Sequence, residues 1–175
     1  SIYDPYYCDG SAKERLHSLG FETVYHKKED CYKVWDTLDF DVLLTNPPYS
    51  GDHMERMMKY VTVKRNAVWL LLAPQFLHKK DFYTNYLHLF NIQPFYLIPK
   101  KRYVYIPPKG FRKKNKLSDT HKKSSPFNSM WYIYAGDQTQ ELITFFYKER
   151  GSRTMASCCD LARSRSALRD LRRKI

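Results

Sequence analysis

Long apolar runs are missing from this chain of 175 residues. The longest, Ala67 to Pro74, is strand length. A membrane-spanning helix needs roughly 20 apolar residues, so no membrane partner is expected. Neither a secretory signal nor an Arg/Ser-rich transit segment opens the sequence. The four cysteines (Cys8, Cys31, Cys158 and Cys159) lack the paired spacing of a zinc site or a disulfide framework. No metal is therefore expected, and a reducing intracellular compartment is. There is no internal repeat, no Ser/His/Asp arrangement and no catalytic carboxylate pair. Acidic residues are few: 18 Asp and Glu stand against 30 Lys and Arg, a net charge of +12. That imbalance suggests an anionic partner, nucleic acid before an anionic membrane.

What is present is enough for one domain with one sizeable core. Hydrophobic residues at 43% exclude a disordered chain, and aromatics at 16% point to packing or stacking. The charge is uneven. Residues 1–99 hold 11 basic and 12 acidic residues, whereas residues 100–123 hold 10 basic and one acidic. Residues 124–147 carry −2 and residues 148–175 carry +6.

Ile2-Tyr3 reads as the last residues of a strand running into Asp4-Pro5; a strand rarely starts so abruptly, so upstream structure is expected to be missing from this chain. Ser11 and Glu14 have capping-box spacing, and a short helix follows until Gly20. Phe21–His26 reads as a strand. Phe40–Thr45 is a near-continuous apolar run, as in a strand buried on both faces. Met54, Met57, Met58 and Val61 keep helical spacing. Ala67–Ala73, Pro94–Ile98 and Ser129–Tyr134 read as strands, and Asp81–Phe90 as a helix. Trp69 and Trp131 fall inside strand patterns and are expected in the core, whereas His78 and His121 are expected in solvent. This alternation implies an α/β fold: a mostly parallel sheet with helices on both faces, binding its ligand beyond the carboxyl ends of the strands. Residues 1–135 form the expected domain, with 100–127 a Pro- and Lys-rich basic loop. Residues 136–175 lose the pattern and read as a basic, partly disordered extension.

The strongest local signal is Asn46-Pro47-Pro48-Tyr49, directly after the buried strand. Two prolines fix φ and make a rigid turn. The Asn46 amide oxygen and the Pro47 carbonyl can both accept from one –NH₂ group, and Tyr49 offers a flat face. Such a constellation suits an amino group on a planar π-system. The plainer alternative is a Pro-Pro turn capping a strand, with Asn46 bonding its own backbone.

Asn-Pro-Pro-Tyr after a hydrophobic strand resembles the signature of class I S-adenosylmethionine-dependent methyltransferases that act on amino nitrogens: adenine N6, cytosine N4 or a glutamine amide. Asp4-Pro5-Tyr6-Tyr7-Cys8-Asp9-Gly10-Ser11 resembles the cofactor loop of that family. Glu29-Asp30-Cys31-Tyr32 resembles the segment bordering the cofactor adenine. The compact adenine-N6 type of phages and large viruses is the nearest likeness. There a Leu-Gly-Phe helix end, matched by Leu19-Gly20-Phe21, and a later Ile-Pro-Lys-Lys-Arg strand, matched by Ile98 to Arg102, also occur. The likeness covers roughly residues 2–135. Two departures stand out: the first strand is nearly absent, and the interval from Asp4 to Asn46 is one strand–helix unit shorter than usual.

The resemblance implies a Rossmann-like domain, trimmed at its N-terminus, that binds S-adenosyl-L-methionine. Asp4, with Pro5, would contact the methionine or ribose part, Gly10 would let backbone approach, and Asp30, Cys31 and Tyr32 would line the adenine pocket. Asn46 and Pro47, stiffened by Pro48, would orient the target amine while Tyr49 stacks on its base. Tyr105 and Phe111 are candidates for the opposite face of that base, with plain packing the favoured role for each taken singly. The basic residues Lys100, Lys101, Arg102, Lys109, Arg112, Lys113, Lys114 and Lys116, interleaved with aromatics, suit a nucleic-acid grip, RNA ahead of DNA, with ribosome or ribonucleoprotein association in view. Two alternatives stay open: an RNA-binding protein on a decayed methyltransferase fold, and a protein glutamine methyltransferase.

Overall fold

A computed structural model describes residues 1–64, 67–105, 127–149 and 154–172. They fold around one seven-stranded mixed sheet. In chain order the elements begin with β1 (Ile2–Tyr3), α1 (Ser11–Ser18), β2 (Val24–Tyr25), α2 (Cys31–Val34) and β3 (Val42–Thr45). Next come α3 (His53–Val63), β4 (Val68–Pro74), α4 (Asp81–Leu89), β5 (Phe95–Pro99) and β6 (Ser129–Tyr134). The last are α5 (Thr139–Lys148), α6 (Met155–Cys158), β7 (Cys159–Ala162) and α7 (Arg165–Arg172).

The strand order is β2-β1-β3-β4-β6-β5-β7. Neighbours from β2 to β4 are parallel, β6 runs against both β4 and β5, and β7 runs against β5. Five strands therefore share one direction, and β6 and β7 oppose them. This is the α/β layering the alternation predicts.

Strand side chains alternate between two faces. Leu43, Trp69, Leu71 and Tyr96 point into the larger core, which Met57, Met58 and Val61 of α3, Tyr83 and Leu87 of α4, and Leu168 of α7 complete. On the opposite face Leu16 of α1 covers Ile2 and Val24, while Ile143 and Phe146 of α5 cover Phe95, Leu97 and Ile133. Helices thus lie on both faces. None of the described helices is long and apolar enough to cross a membrane.

Four expectations change. Residues 136–175 do not trail away from the fold among those described: α5, α6, β7 and α7 pack on it, and Ala162 and Leu168 are each 1% exposed. The physical reason is the free edge of β5, which β7 pairs, and an apolar stripe of Ala167, Leu168 and Leu171 hidden among arginines and serines. His78 is buried rather than solvated, because the 3₁₀ turn Gln75–Lys79 tucks its N–H against the Tyr132 hydroxyl at 3.2 Å. Trp131 is only half-buried, since the register of β6 turns Met130 and Tyr132 into the main core and Trp131 to the other side. Ser11 is not an N-cap. Gly10 occupies that position at φ 82°, and Ser11 instead gives both its amide and its hydroxyl to Asp9.

Candidate functional site

The chain leaves β1 to form β2 on one side, then crosses back to place β3 on the other. The boundary between β1 and β3 is therefore a topological switch point, where the connections leaving the two strand ends diverge and open a crevice. Asp4 follows β1 and Asn46 follows β3 at that boundary. A cleft of about 1320 Å³ opens there. Its walls are the loop from Asp4 to Asp9 with the first turn of α1, the segment Glu29–Tyr32, the turn Thr45–Tyr49 with His53, and an aromatic side of Tyr105, Phe127 and Trp131. Every residue expected at the cofactor or the target amine lines this one cleft except Gly10, which closes the loop beside it.

Asp4 is held from both neighbouring strands. Thr45 of β3 donates its hydroxyl to Asp4 Oδ1 at 2.7 Å, and the Tyr6 amide approaches the same oxygen at 3.4 Å. From the β2 side, His26 Nδ1 lies 3.4 Å from Oδ2 and 3.1 Å from the Asp4 carbonyl. Burial pushes the carboxyl above its usual range, against the opposing pull of Thr45, His26 and the Tyr6 amide. A buried acid with raised proton affinity at a strand end is a common mark of a working residue.

The Asn-Pro-Pro-Tyr turn is built as a rigid acceptor. Pro47 is buried, while Asn46 and Pro48 are exposed. Tyr49 donates its hydroxyl to Asn46 Oδ1 at 2.7 Å, which fixes the amide. That oxygen keeps a second lone pair for an incoming amine. Burial holds the Tyr49 hydroxyl far above its usual range, so it remains a donor at all physiological pH. Its oxygen also meets Tyr105 Oη at 2.8 Å, and Tyr105 donates to Ser129 Oγ at 2.8 Å.

This network decides between the two roles open to Tyr105 in favour of packing. A base held between two rings needs them parallel and about 7 Å apart, twice an aromatic contact distance. The Tyr49 and Tyr105 rings are 6.2 Å apart and nearly perpendicular, at 88°. Tyr105 therefore braces Tyr49 instead of facing it. Phe127 also meets Tyr49 edge to face, at 6.3 Å. Tyr105 and Phe127, which both border Tyr49, flank most of the basic segment in sequence.

Lys101 and Arg102 are exposed, as a phosphate contact requires. Lys100 is engaged internally. Its ammonium lies 3.2 Å from the Ala156 carbonyl, 3.4 Å from the Ser157 carbonyl and 4.0 Å from Asp160. Lys109, Phe111, Arg112, Lys113, Lys114, Lys116 and His121 lie outside the described residues.

Asp30 caps α2, accepting from the Tyr32 amide at 3.1 Å, and its half-exposed carboxylate still borders the cleft. Cys31 is buried, and desolvation pushes its thiol up, keeping it neutral and apolar. The Tyr32 ring is already engaged: Arg56 lies 3.3 Å over it and the His53 ring lies nearly parallel at 5.8 Å. Tyr32 also joins a hydroxyl chain, meeting Tyr6 Oη at 3.1 Å and the His53 Nδ1 atom. Gly10 is required by geometry as well as by φ, because an added Cβ would stand 2.6 Å from Tyr7 Oη.

Sequence reading missed Thr45, His26, His53 and Trp131 at this site, and took Phe127 only as one of the aromatics interleaved with the basic residues. Thr45 and His26 end strands whose partners only the fold reveals. His53 opens α3 just after the Asn-Pro-Pro-Tyr turn, and that proximity was the available signal.

No protein-family model matches the chain, and no curated protein matches it.

Proposed function

We propose that the cleft binds S-adenosyl-L-methionine and that the Asn46 turn presents an exocyclic amine of a nucleic-acid base to it, adenine N6 first. The observation that carries this reading is the convergence of the Asp4 loop and the Asn46–Tyr49 turn on one cleft at the switch point.

The lining chemistry fits this cofactor better than a phosphate-bearing one. Asp4, Asp9, Glu29 and Asp30 border the cleft, against Arg15 as the basic residue there. The N-terminus of α1, where a phosphate would sit, already receives the Asp9 carboxylate through the Ser11 amide at 3.1 Å. Asp9 is held below its usual range by that bond and by the Ser11 hydroxyl, so it stays an anion. Carboxylates suit the ammonium, the sulfonium and the ribose hydroxyls of S-adenosylmethionine. Asp4 would take the methionine or ribose part, and Asp30 and Cys31 the adenosine.

When bound, the cofactor supplies an electrophilic methyl group on sulfur. The protein's task is positioning. Asn46 Oδ1 and the Pro47 carbonyl accept the two N–H bonds of the amine, which fixes the direction of its lone pair. Tyr49 holds Asn46 and bounds the base pocket. A base in a duplex must first be flipped out. The nucleic-acid assignment rests on the charge of residues 100–123, which hold 10 basic residues against one acidic.

The test is transfer of labelled methyl from S-adenosylmethionine to RNA, to DNA and to nuclease-treated protein extract. RNA or DNA label recovered as N6-methyladenine is expected. Asn46→Ala should lower the rate about 10²-fold or more, the scale for losing one oriented hydrogen-bonding group at a reacting centre, with the fold intact. Label only in protein makes glutamine the target. RNA binding without any transfer makes the fold a non-enzymatic RNA binder.

A further inference from the structure

One buried polar side chain packed behind the Asp4 loop has no part in the proposed function. His26 follows β2, and its side chain is 1% exposed. Its Nδ1 lies 3.1 Å from the Asp4 carbonyl and 3.4 Å from Asp4 Oδ2. Both of those oxygens accept, so Nδ1 carries the proton. Its Nε2 is buried with no hydrogen-bond partner. The ring stacks on Tyr7 at 5.0 Å and 22°. Tyr7 in turn lies directly under Gly10, at the start of α1.

A phenylalanine would fill this space and stack on Tyr7 without stranding a nitrogen. Buried polar atoms are paired almost everywhere in proteins, and an exception calls for a reason. The reason here is the other ring nitrogen: histidine is the ring that can stack on Tyr7 and also donate to Asp4. We propose that His26 is the positioning residue of the cofactor loop, fixing Asp4 at one end by a hydrogen bond and Tyr7–Gly10 at the other by a ring stack. Residues 4–10 are thereby set from a strand outside the loop. Thr45 does the matching work from β3, at 2.7 Å from Asp4 Oδ1. The acid is thus clamped across three adjacent strands. That the loop serves S-adenosylmethionine rests on the proposed function, but the clamp itself does not.

Two substitutions separate the roles. His26→Phe keeps the ring and removes the donor. His26→Asn keeps a donor near the Nδ1 position and removes the ring. The first readout needs no ligand: titration of the Asp4 side-chain carboxyl by ¹³C NMR. His26 acts to lower the Asp4 titration midpoint. That effect is one of charge, so His26→Phe should move it upward, and the neutral His26→Asn should do the same. An unmoved midpoint in His26→Phe overturns the inference. Should His26→Phe fail to fold, His26→Asn decides alone. Loosened Tyr7 in His26→Asn, seen as faster amide exchange across residues 7–10, supports the ring-stack end of the clamp; unchanged exchange there overturns it. The second readout is calorimetric binding of S-adenosylmethionine, expected to weaken about tenfold in His26→Phe, the scale of one lost hydrogen bond, and to recover in His26→Asn. No binding by the wild-type protein would sink the proposed function and leave the Asp4 titration to judge the clamp.

Discussion

Substituting Gly10 by alanine perturbs the loop at its tightest point, and the effect can be worked through. Gly10 has φ 82°, a left-handed conformation that costs an L-residue roughly 1–2 kcal/mol. The new Cβ would stand 2.6 Å from Tyr7 Oη and 2.8 Å from Tyr7 Cζ, so the ring must move. Moving it disrupts the stack on His26 at 5.0 Å, and such aromatic contacts are worth about 0.5–1.5 kcal/mol. Together the loss is about 1.5–3.5 kcal/mol. At roughly 2–4 °C per kcal/mol for a chain of this size, Tm should fall by roughly 3–14 °C. Thermal unfolding followed by circular dichroism measures it. The same substitution in a Tyr7→Ala background should cost only the backbone part, because the obstacle is gone. A drop below about 1 °C would refute the backbone argument. Strict additivity of the two substitutions would refute the assignment of Tyr7 as the obstacle.

Asp4→Asn should separate stability from function. Burial raises the carboxyl's proton affinity in the fold, so between its unfolded and folded midpoints the native state binds more protons. Stability therefore falls as pH rises through that window. Asp4→Asn should flatten this fall in a series of melts and raise Tm at neutral pH, while weakening cofactor binding; a lowered Tm at neutral pH contradicts the reasoning. Raising salt from about 50 to 200 mM should weaken nucleic-acid binding at least tenfold, through counterion release, and barely change cofactor affinity. Equal sensitivity in gel-shift and calorimetric titrations would undo that division. Leu168→Ala, at a site 1% exposed, should destabilise the whole fold by about 2–5 kcal/mol in urea unfolding; a surface-like loss below about 0.5 kcal/mol would show that α7 is not part of the core.

Much of the sheet was legible because its strands carry their own signals. Phe40–Thr45 is a near-continuous apolar run and Ala67–Ala73 is apolar throughout, as suits strands covered on both faces, and Ser129–Tyr134 matches β6 residue for residue. The Asn46 turn stood out as a candidate through its position after the buried strand and its Tyr49, since Asn-Pro-Pro taken alone reads as a strand-capping turn. What stayed hidden depends on distant partners. β7 is a short strand, Cys-Asp-Leu-Ala, that exists because β5 has a free edge. Leu168 is buried although arginines flank it in sequence. His78 and His26 look like ordinary surface histidines until Tyr132 and Asp4 are brought against them. The perpendicular setting of Tyr105 comes from a hydroxyl network spanning β3, β6 and the chain after β5, which no local pattern encodes.

The central claim is that one cleft, at the carboxyl ends of β1 and β3, holds the methyl donor beside Asn46. Ultraviolet crosslinking of methyl-labelled S-adenosylmethionine, followed by peptide mass spectrometry, tests it most directly. The account predicts label within residues 4–12, 29–32 or 45–49, the walls of that cleft, and its loss in Asp4→Ala. Label confined to other peptides, or no label at saturating cofactor, would contradict it.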